Sequence, residues 1–261
     1  ANVLNAGDSF AAGSQNVINA GSNSIAVFGT KNNITGGFTL VGGVSNVVYS
    51  NNNFVTGQEN KVGASGANYF NNAVFGNNNT VLGTNTVVGG AGNKLLNNAN
   101  GSFIAGTNNT IDSGFSNFAA GSDNYIYGPD FPIRSFNFVT GRYNILGSTT
   151  KKIVGATASG YYLNLTNDYS TAFGKFNANY SNAIFEVGSG DNATTLNSPL
   201  TIARTGTNNW VAIGAPSQAA RGATLSPVGS EKLRVYGTIQ TAGTNYPDYV
   251  FEDYFSGNSS I

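Results

Sequence analysis

Two stretches of this 261-residue chain set aromatic rings beside amides and a guanidinium, the side-chain combination that holds sugars. Tyr69, Phe70 and Asn71 end one stretch, residues 64–71, and Asp130, Phe131 and Arg134 lie in the other, residues 128–135. A ring covers the apolar face of a pyranose, while amide and guanidinium groups bind its hydroxyls or an acidic substituent. For any single one of these residues the default role is structural, a loop aromatic that caps an edge or fills a groove between chains.

Hydrolysis would need different groups. Glycosidases set two carboxyls across the scissile bond. Twelve acids are present, Asp123, Asp130 and Asp168 among them, yet no pair recurs at a telling position. Asp8 and Glu59 fall in expected turns, and Glu231, Glu252 and Asp253 fall near the C-terminus, where a solvated face is the default. Without histidine or cysteine the chain alone cannot assemble a Ser/His/Asp triad, a histidine or thiolate zinc site, or a disulfide. The glycine-rich stretches lack the lysine and helix of a phosphate loop, and no regular Gly-Gly-x-Gly-x-Asp calcium repeat is present. No catalytic residue, no metal and no cofactor are expected.

The elements that must position these groups announce themselves through a repeat. Ten times a glycine is followed three places later by asparagine: Gly13/Asn16, Gly29/Asn32, Gly43/Asn46, Gly57/Asn60, Gly76/Asn79, Gly90/Asn93, Gly106/Asn109, Gly121/Asn124, Gly141/Asn144 and Gly174/Asn177. The asparagines step by 16, 14, 14, 19, 14, 16, 15, 20 and 33 residues, so the unit is 14 with insertions. The last gap holds a degenerate unit, read as Gly155 with Ala158 in place of asparagine. A short fixed period means a solenoid, because one unit cannot cover its own apolar face and must stack.

A clear unit runs Asn53-Phe-Val-Thr-Gly57-Gln-Glu-Asn60-Lys-Val-Gly63. Four apolar or β-branched residues end at a glycine that takes the positive φ of a tight corner. Two polar residues follow, then an asparagine expected to adopt left-handed geometry, then a second short strand. Helix is excluded because glycine recurs too densely for a stripe at 3.6 spacing. Each rung is expected to bury about four apolar side chains, with asparagines at one corner forming an amide ladder. A narrow roll leaves little room for Phe54, Phe70, Phe103, Phe118 and Phe138, so several aromatics are expected to face a neighbouring chain. Tyr161 and Tyr162 are expected to close the bottom of the roll, and Trp210 to anchor an interchain core.

Composition agrees. With 35 glycines and roughly forty asparagines, the chain has little material for a compact core. Charged residues are 9% and balance to zero, so neither nucleic acid nor an anionic membrane is an expected partner. No apolar run reaches the 18 or more residues of a membrane span, so this fragment is not expected to insert in a membrane. The chain begins on Ala1, and the aromatic, acidic segment from Tyr246 to Phe255 reads as the beginning of something, so sequence is expected beyond both ends.

Segments such as Ser24-Ile-Ala-Val-Phe-Gly29-Thr-Lys-Asn32-Asn-Ile34-Thr-Gly36 resemble the head of trimeric autotransporter adhesins, the YadA-type β-roll. The resemblance covers about residues 1–180 and implies a left-handed β-roll in a parallel homotrimer that sticks to surfaces. A second resemblance begins at Asn182. The stretches Ala183 to Asp191, Leu200 to Gly206, Val211 to Gly214 and Glu231 to Ile239 are similar to shafts of phage tail fibres and related bacterial surface fibres. Such shafts often precede an endosialidase-type intramolecular chaperone, and Tyr246 to Tyr254 resembles the segment just before it in Bacteroidota proteins. Trp210 departs from the shaft pattern, and the chaperone itself is not in the sequence.

The expected organisation is all-β: roll repeats over 1–180, an interwoven neck over 181–229, and a shaft strand near Leu233 to Ile239 with a C-terminal stub over 230–261. The repeat corners Gly29, Asn32, Gly57, Asn60, Gly76, Asn79, Gly106, Asn109, Gly121, Asn124, Gly141 and Asn144 are expected to be structural, and insertions on the rigid scaffold to carry binding. The expected function is non-enzymatic attachment to a surface glycan or other cell-surface receptor, by an extracellular fibre of a phage, a contractile injection system or a bacterial surface. A tailspike-like glycan-cleaving enzyme and a purely structural fibre are the alternatives. An ice-binding solenoid fits less well, because the threonines are scattered and bulges interrupt the faces. Excising residues 128–135 is expected to spare folding and reduce attachment.

Overall fold

The computed structural model describes residues 1–19, 23–97, 99–130, 133–192, 194–205, 208–214 and 233–235. They form an all-β solenoid of about 12 turns, with no helix among the described residues. Through Thr171–Lys175 the turns repeat a five-residue strand, such as Ala73–Asn77, and a shorter one, such as Thr80–Val81. Long strands stack in parallel in one sheet and short strands in a second. Glycine pairs with glycine throughout, Gly57 with Gly76, Gly76 with Gly90 and Gly90 with Gly106. The insertions leave this register intact because they are absorbed between strands.

Alternation along each strand decides what is buried. The second residue of a long strand and the second of a short strand point inward, as Val55 with Val62 and Val74 with Val81, all fully buried. A mid-stack turn therefore contributes two large apolar side chains from its strands, fewer than the four expected, because the first and third residues of each long strand face outward.

One corner follows the long strand. Its glycine needs a positive φ, +118° at Gly57, and a Cβ there would lie 1.9 Å from the Gly76 carbonyl oxygen of the next turn. The asparagine three places on, expected from sequence to adopt left-handed geometry, does not. The residue before it does: Lys31, Glu59, Asn78, Asn108, Asp123 and Tyr143 all have φ near +55° to +61°. That kink aims the asparagine side chain into the stack, where it is fully buried.

The buried asparagines form a ladder. Asn79 donates both its backbone N–H, at 3.1 Å, and its Nδ2, at 2.9 Å, to Asn60 Oδ1, and Nδ2 also donates to the Gly90 carbonyl at 3.0 Å. Asn93 repeats the pattern on Asn79, and the series runs from Asn2 through Asn16 to Asn144. Each amide thus satisfies donors and acceptors of the turns on both sides, which buried polar groups require.

The degenerate turn has a different register from the one read in sequence. Gly160 pairs with Gly141 and Gly174, so it is the corner glycine, and Leu163 stands where asparagine would be. Ala158 is an inward residue of the long strand Thr157–Tyr161. Gly155 belongs to the other corner, two residues before a long strand, beside positive-φ residues such as Asn85, Ser116 and Tyr169.

Beyond Lys175 the long sheet continues. Ala183–Ser189 adds in parallel, Leu200–Thr205 and Asn208–Ile213 follow antiparallel, and Leu233–Val235 returns to parallel. Trp210, expected at an interchain core, is 2% exposed and packs within this chain against a cluster that includes Ala178, Tyr180, Ala183 and Ala203. The expected continuation of the shaft strand to Ile239 and the segment Tyr246 to Phe255 lie outside the described residues.

Candidate functional site

Tyr69, Phe70 and Asn71 end the first insertion by rejoining the second corner. Phe70 bridges Asn51 in parallel, Asn85 donates its N–H to the Phe70 carbonyl at 3.0 Å, and Asn71 has φ +57°. Asn71 is therefore the counterpart of Asn85 one turn on, and its Nδ2 donates to Asn85 Oδ1 at 2.9 Å. Its amide is exposed but already engaged, and the Phe70 ring is partly open to solvent.

In the second insertion Asp130 and Arg134 are exposed, and Phe131 lies outside the described residues. Both ends of this insertion are built into the stack. Ser113 Oγ donates to the Gly128 carbonyl, while Ser135 Oγ donates to Phe115 O at 3.0 Å and Asn117 Oδ1 at 2.8 Å. Excision of 128–135 would thus remove buried hydrogen bonds as well as the exposed tip, contrary to the expectation that folding would be spared. Arg134 bridges Phe115, on the same corner as Phe70 but four turns further along. At the spacing of hydrogen-bonded strands that is about 19 Å, so the two sets do not converge on one site.

A denser constellation, not assembled in the sequence reading, lies at the first corner near the end of the solenoid. Tyr143, Tyr162 and Phe176 are successive residues of its positive-φ column, at +57°, +55° and +46°. Bulky side chains are uncommon in that conformation. Their rings follow one another from turn to turn, Tyr143 tilted against Tyr162 at 4.8 Å and Tyr162 stacked on Phe176 at 5.1 Å. Tyr161 adds an exposed ring edge-on to Tyr162 at 5.0 Å. Arg142 lies over the Tyr143 ring at 4.5 Å and reaches Asp123 at 3.6 Å, and its charged form is favoured by its hydrogen bond to the Tyr143 hydroxyl. The Tyr161-Tyr162 pair thus lines a corner of the roll. The available signal was the aromatic residue two places after Gly141, Gly160 and Gly174.

Several acids bridge groups of different turns. Asp112 pairs with Lys152 at 3.0 Å and accepts from Asn97, Asp168 accepts the Val154 N–H at 2.9 Å, and Asp191 approaches Lys175 at 3.9 Å. Glu186, unremarked in the sequence, is fully buried where the ladder stops. Its oxygens accept from Asn177 Nδ2 at 2.7 Å, Ser198 Oγ at 2.9 Å and the Tyr180 N–H at 3.3 Å. Burial raises its pKa, opposed by these hydrogen bonds. Among the described residues no three acidic side chains converge to hold a metal.

Comparison with protein-family models, curated proteins and solved structures found no match.

Proposed function

We propose that this chain is the head and upper shaft of a non-enzymatic trimeric fibre or adhesin that attaches to a glycan or another receptor on a cell surface. The observation that carries the reading is the outer face of the long sheet. Phe10, Phe28, Leu40, Phe54, Phe75, Val87, Phe103, Phe138 and Phe173 all stand exposed on it, in an apolar stripe interrupted at the Thr157–Tyr161 turn. Apolar stripes this extended are covered in working proteins, and copies of the same rod are the natural cover. The resemblance to YadA-type heads supports the same arrangement, with left-handed rungs of about 14 residues running in parallel. An extracellular position on a phage, injection-system or bacterial fibre follows from that resemblance.

Glycan recognition falls to the corners, away from the stripe. The exposed Tyr161 ring, paired in the sheet with Arg142, sets an aromatic ring beside a guanidinium, groups that bind a sugar bearing an acidic substituent. Three copies would turn weak contacts into useful avidity. Asp112, Asp168, Asp191 and Glu186 are each engaged by neighbouring groups, which supports binding over hydrolysis.

Native mass spectrometry of the wild-type chain tests the assembly, with a trimer expected and a stable monomer overturning it. A glycan microarray tests the ligand class. Tyr161→Ala and Arg142→Ala are expected to lose at least about tenfold in apparent affinity, and release of oligosaccharides from the bound glycan would replace the adhesin with a tailspike enzyme.

A further inference from the structure

Eleven long strands, from Phe10–Ser14 to Thr171–Lys175, present their first and third residues to the outside. In ten of them one of these two residues is Phe, Leu or Val and the other is Gly, Ala or Thr. Seven carry the large residue first: Phe10/Ala12, Leu40/Gly42, Phe54/Thr56, Val87/Gly89, Phe103/Ala105, Phe118/Ala120 and Phe138/Thr140. Three are reversed: Ala26/Phe28, Ala73/Phe75 and Thr171/Phe173. Only Thr157/Ser159 has no large member.

Stability of a single rod does not require this. Its core is filled by the second residue of each strand, and two outward phenylalanines per strand would leave that core untouched. The rule does suit a face packed against a copy of itself. Where the first residue of one rod meets the third residue of its neighbour at equal height, every turn except Thr157/Ser159 pairs a large side chain with a small one. A one-turn offset breaks the match at the reversed turns: Phe28 would meet Phe10 or Leu40, and Phe75 would meet Phe54 or Val87.

We infer that the reversed turns at Ala26/Phe28, Ala73/Phe75 and Thr171/Phe173 are register keys, which fix parallel copies of this chain at the same height by seating each reversed phenylalanine in the notch over the small residue of the neighbouring copy. The notch at Ala73 belongs to an open groove of about 630 Å³ with Phe54 and Val87 on the adjoining turns. Phe75, 40% exposed, is the side chain at the right height to enter it. The inference rests on the reading that the chain associates with itself, and specifies how.

Size exchange tests it. Phenylalanine at the first position is native to several turns, so Ala73→Phe is compatible with the fold, which circular dichroism would verify. With both outward residues large, A73F is expected to weaken self-association at least about tenfold by native mass spectrometry over a dilution series, and A73F/F75A to recover it. Because the chain has no cysteine, height can be read directly. Co-expressed A73C and F75C chains are expected to form an interchain disulfide on oxidation, and A73C with G89C chains, offset by one turn, are not.

An oligomeric wild type whose A73F variant associates unchanged, or which cross-links A73C to G89C in preference to F75C, overturns the register keys alone. A monomeric wild type overturns both the keys and the trimeric fibre. Oligosaccharide binding to the wild type that A73F abolishes without changing the oligomer would also overturn the keys, by giving the groove to a ligand.

Discussion

Leu163 donates its backbone N–H to Asn144 Oδ1 at 2.9 Å, in the position an asparagine occupies on earlier turns, but has no amide to hand the ladder on. The chain resolves the break one turn later. Asn177 turns its Nδ2 to the Asn164 carbonyl at 2.9 Å and to Glu186 at 2.7 Å. A ladder asparagine is thus replaceable only where another acceptor is built nearby. Glu186 supplies it here.

Asn93 has no such substitute. Asn93→Leu would leave the buried Asn109 N–H without the oxygen it now reaches at 3.0 Å and would remove the donor to the Gly106 carbonyl at 2.9 Å. The expected loss is about 2 to 4 kcal/mol, since buried orphans forfeit their desolvation as well as a bond. Chemical denaturation of the two proteins measures it, and a loss within experimental error would show that the ladder contributes nothing.

Neighbouring glycines give a matched pair. Gly90 has φ +112°, and a Cβ there would sit 1.9 Å from the Gly106 carbonyl oxygen; Gly89 has nothing within 4 Å of its would-be Cβ. Gly90→Ala is expected to cost more than about 3 kcal/mol, through backbone strain and a displaced turn. Gly89→Ala is expected to stay within about 0.5 kcal/mol. Thermal melts of both variants check this, and similar melting temperatures would contradict the close-approach account.

Glu186 makes stability depend on pH. Its pKa in the folded chain lies above the ordinary 4.5 because of burial, so the folded state holds the proton more tightly than the unfolded state. Its contribution is fully present below 4.5 and is lost as pH rises through the folded value. Relative to Glu186→Gln, the wild-type melting temperature should therefore fall as pH is raised from about 4 to about 8. A pH-independent difference between the two would refute the assignment.

The second insertion separates into tip and root. Ser135→Ala removes hydrogen bonds at 2.8 and 3.0 Å and is expected to cost about 1 to 2 kcal/mol. Arg134→Ala, at an exposed side chain, is expected to stay within about 0.5 kcal/mol. Denaturation curves distinguish them, and equal effects would place Ser135 outside the supporting network.

The solenoid and its first corner were legible in the spacing of Gly57 to Asn60 and its repeats, because those residues answer local demands. A positive φ and a carbonyl 1.9 Å from a would-be Cβ admit only glycine at Gly57, and a buried amide in a stack selects asparagine at Asn60. The neighbours of these residues were less legible. Gly155 looks like Gly160 in sequence, since both are glycines within a fourteen-residue step of another corner, and only strand pairing places one at each corner. Tyr69 to Asn71 looked like a projecting loop and instead returns to the stack.

By itself, then, the sequence determined that the chain is a stack of short strands turned at glycine and asparagine corners, since each corner's geometry is written in the residue that occupies it. Only the tertiary structure decided that Tyr143, Tyr162 and Phe176 form one column, that Glu186 meets Asn177, and that Ala73 and Phe75 share the outer face. Insertions of different length shift sequence spacing without shifting height in the stack. Which side chains meet is therefore set by hydrogen-bonded register between turns, not by their distance along the chain.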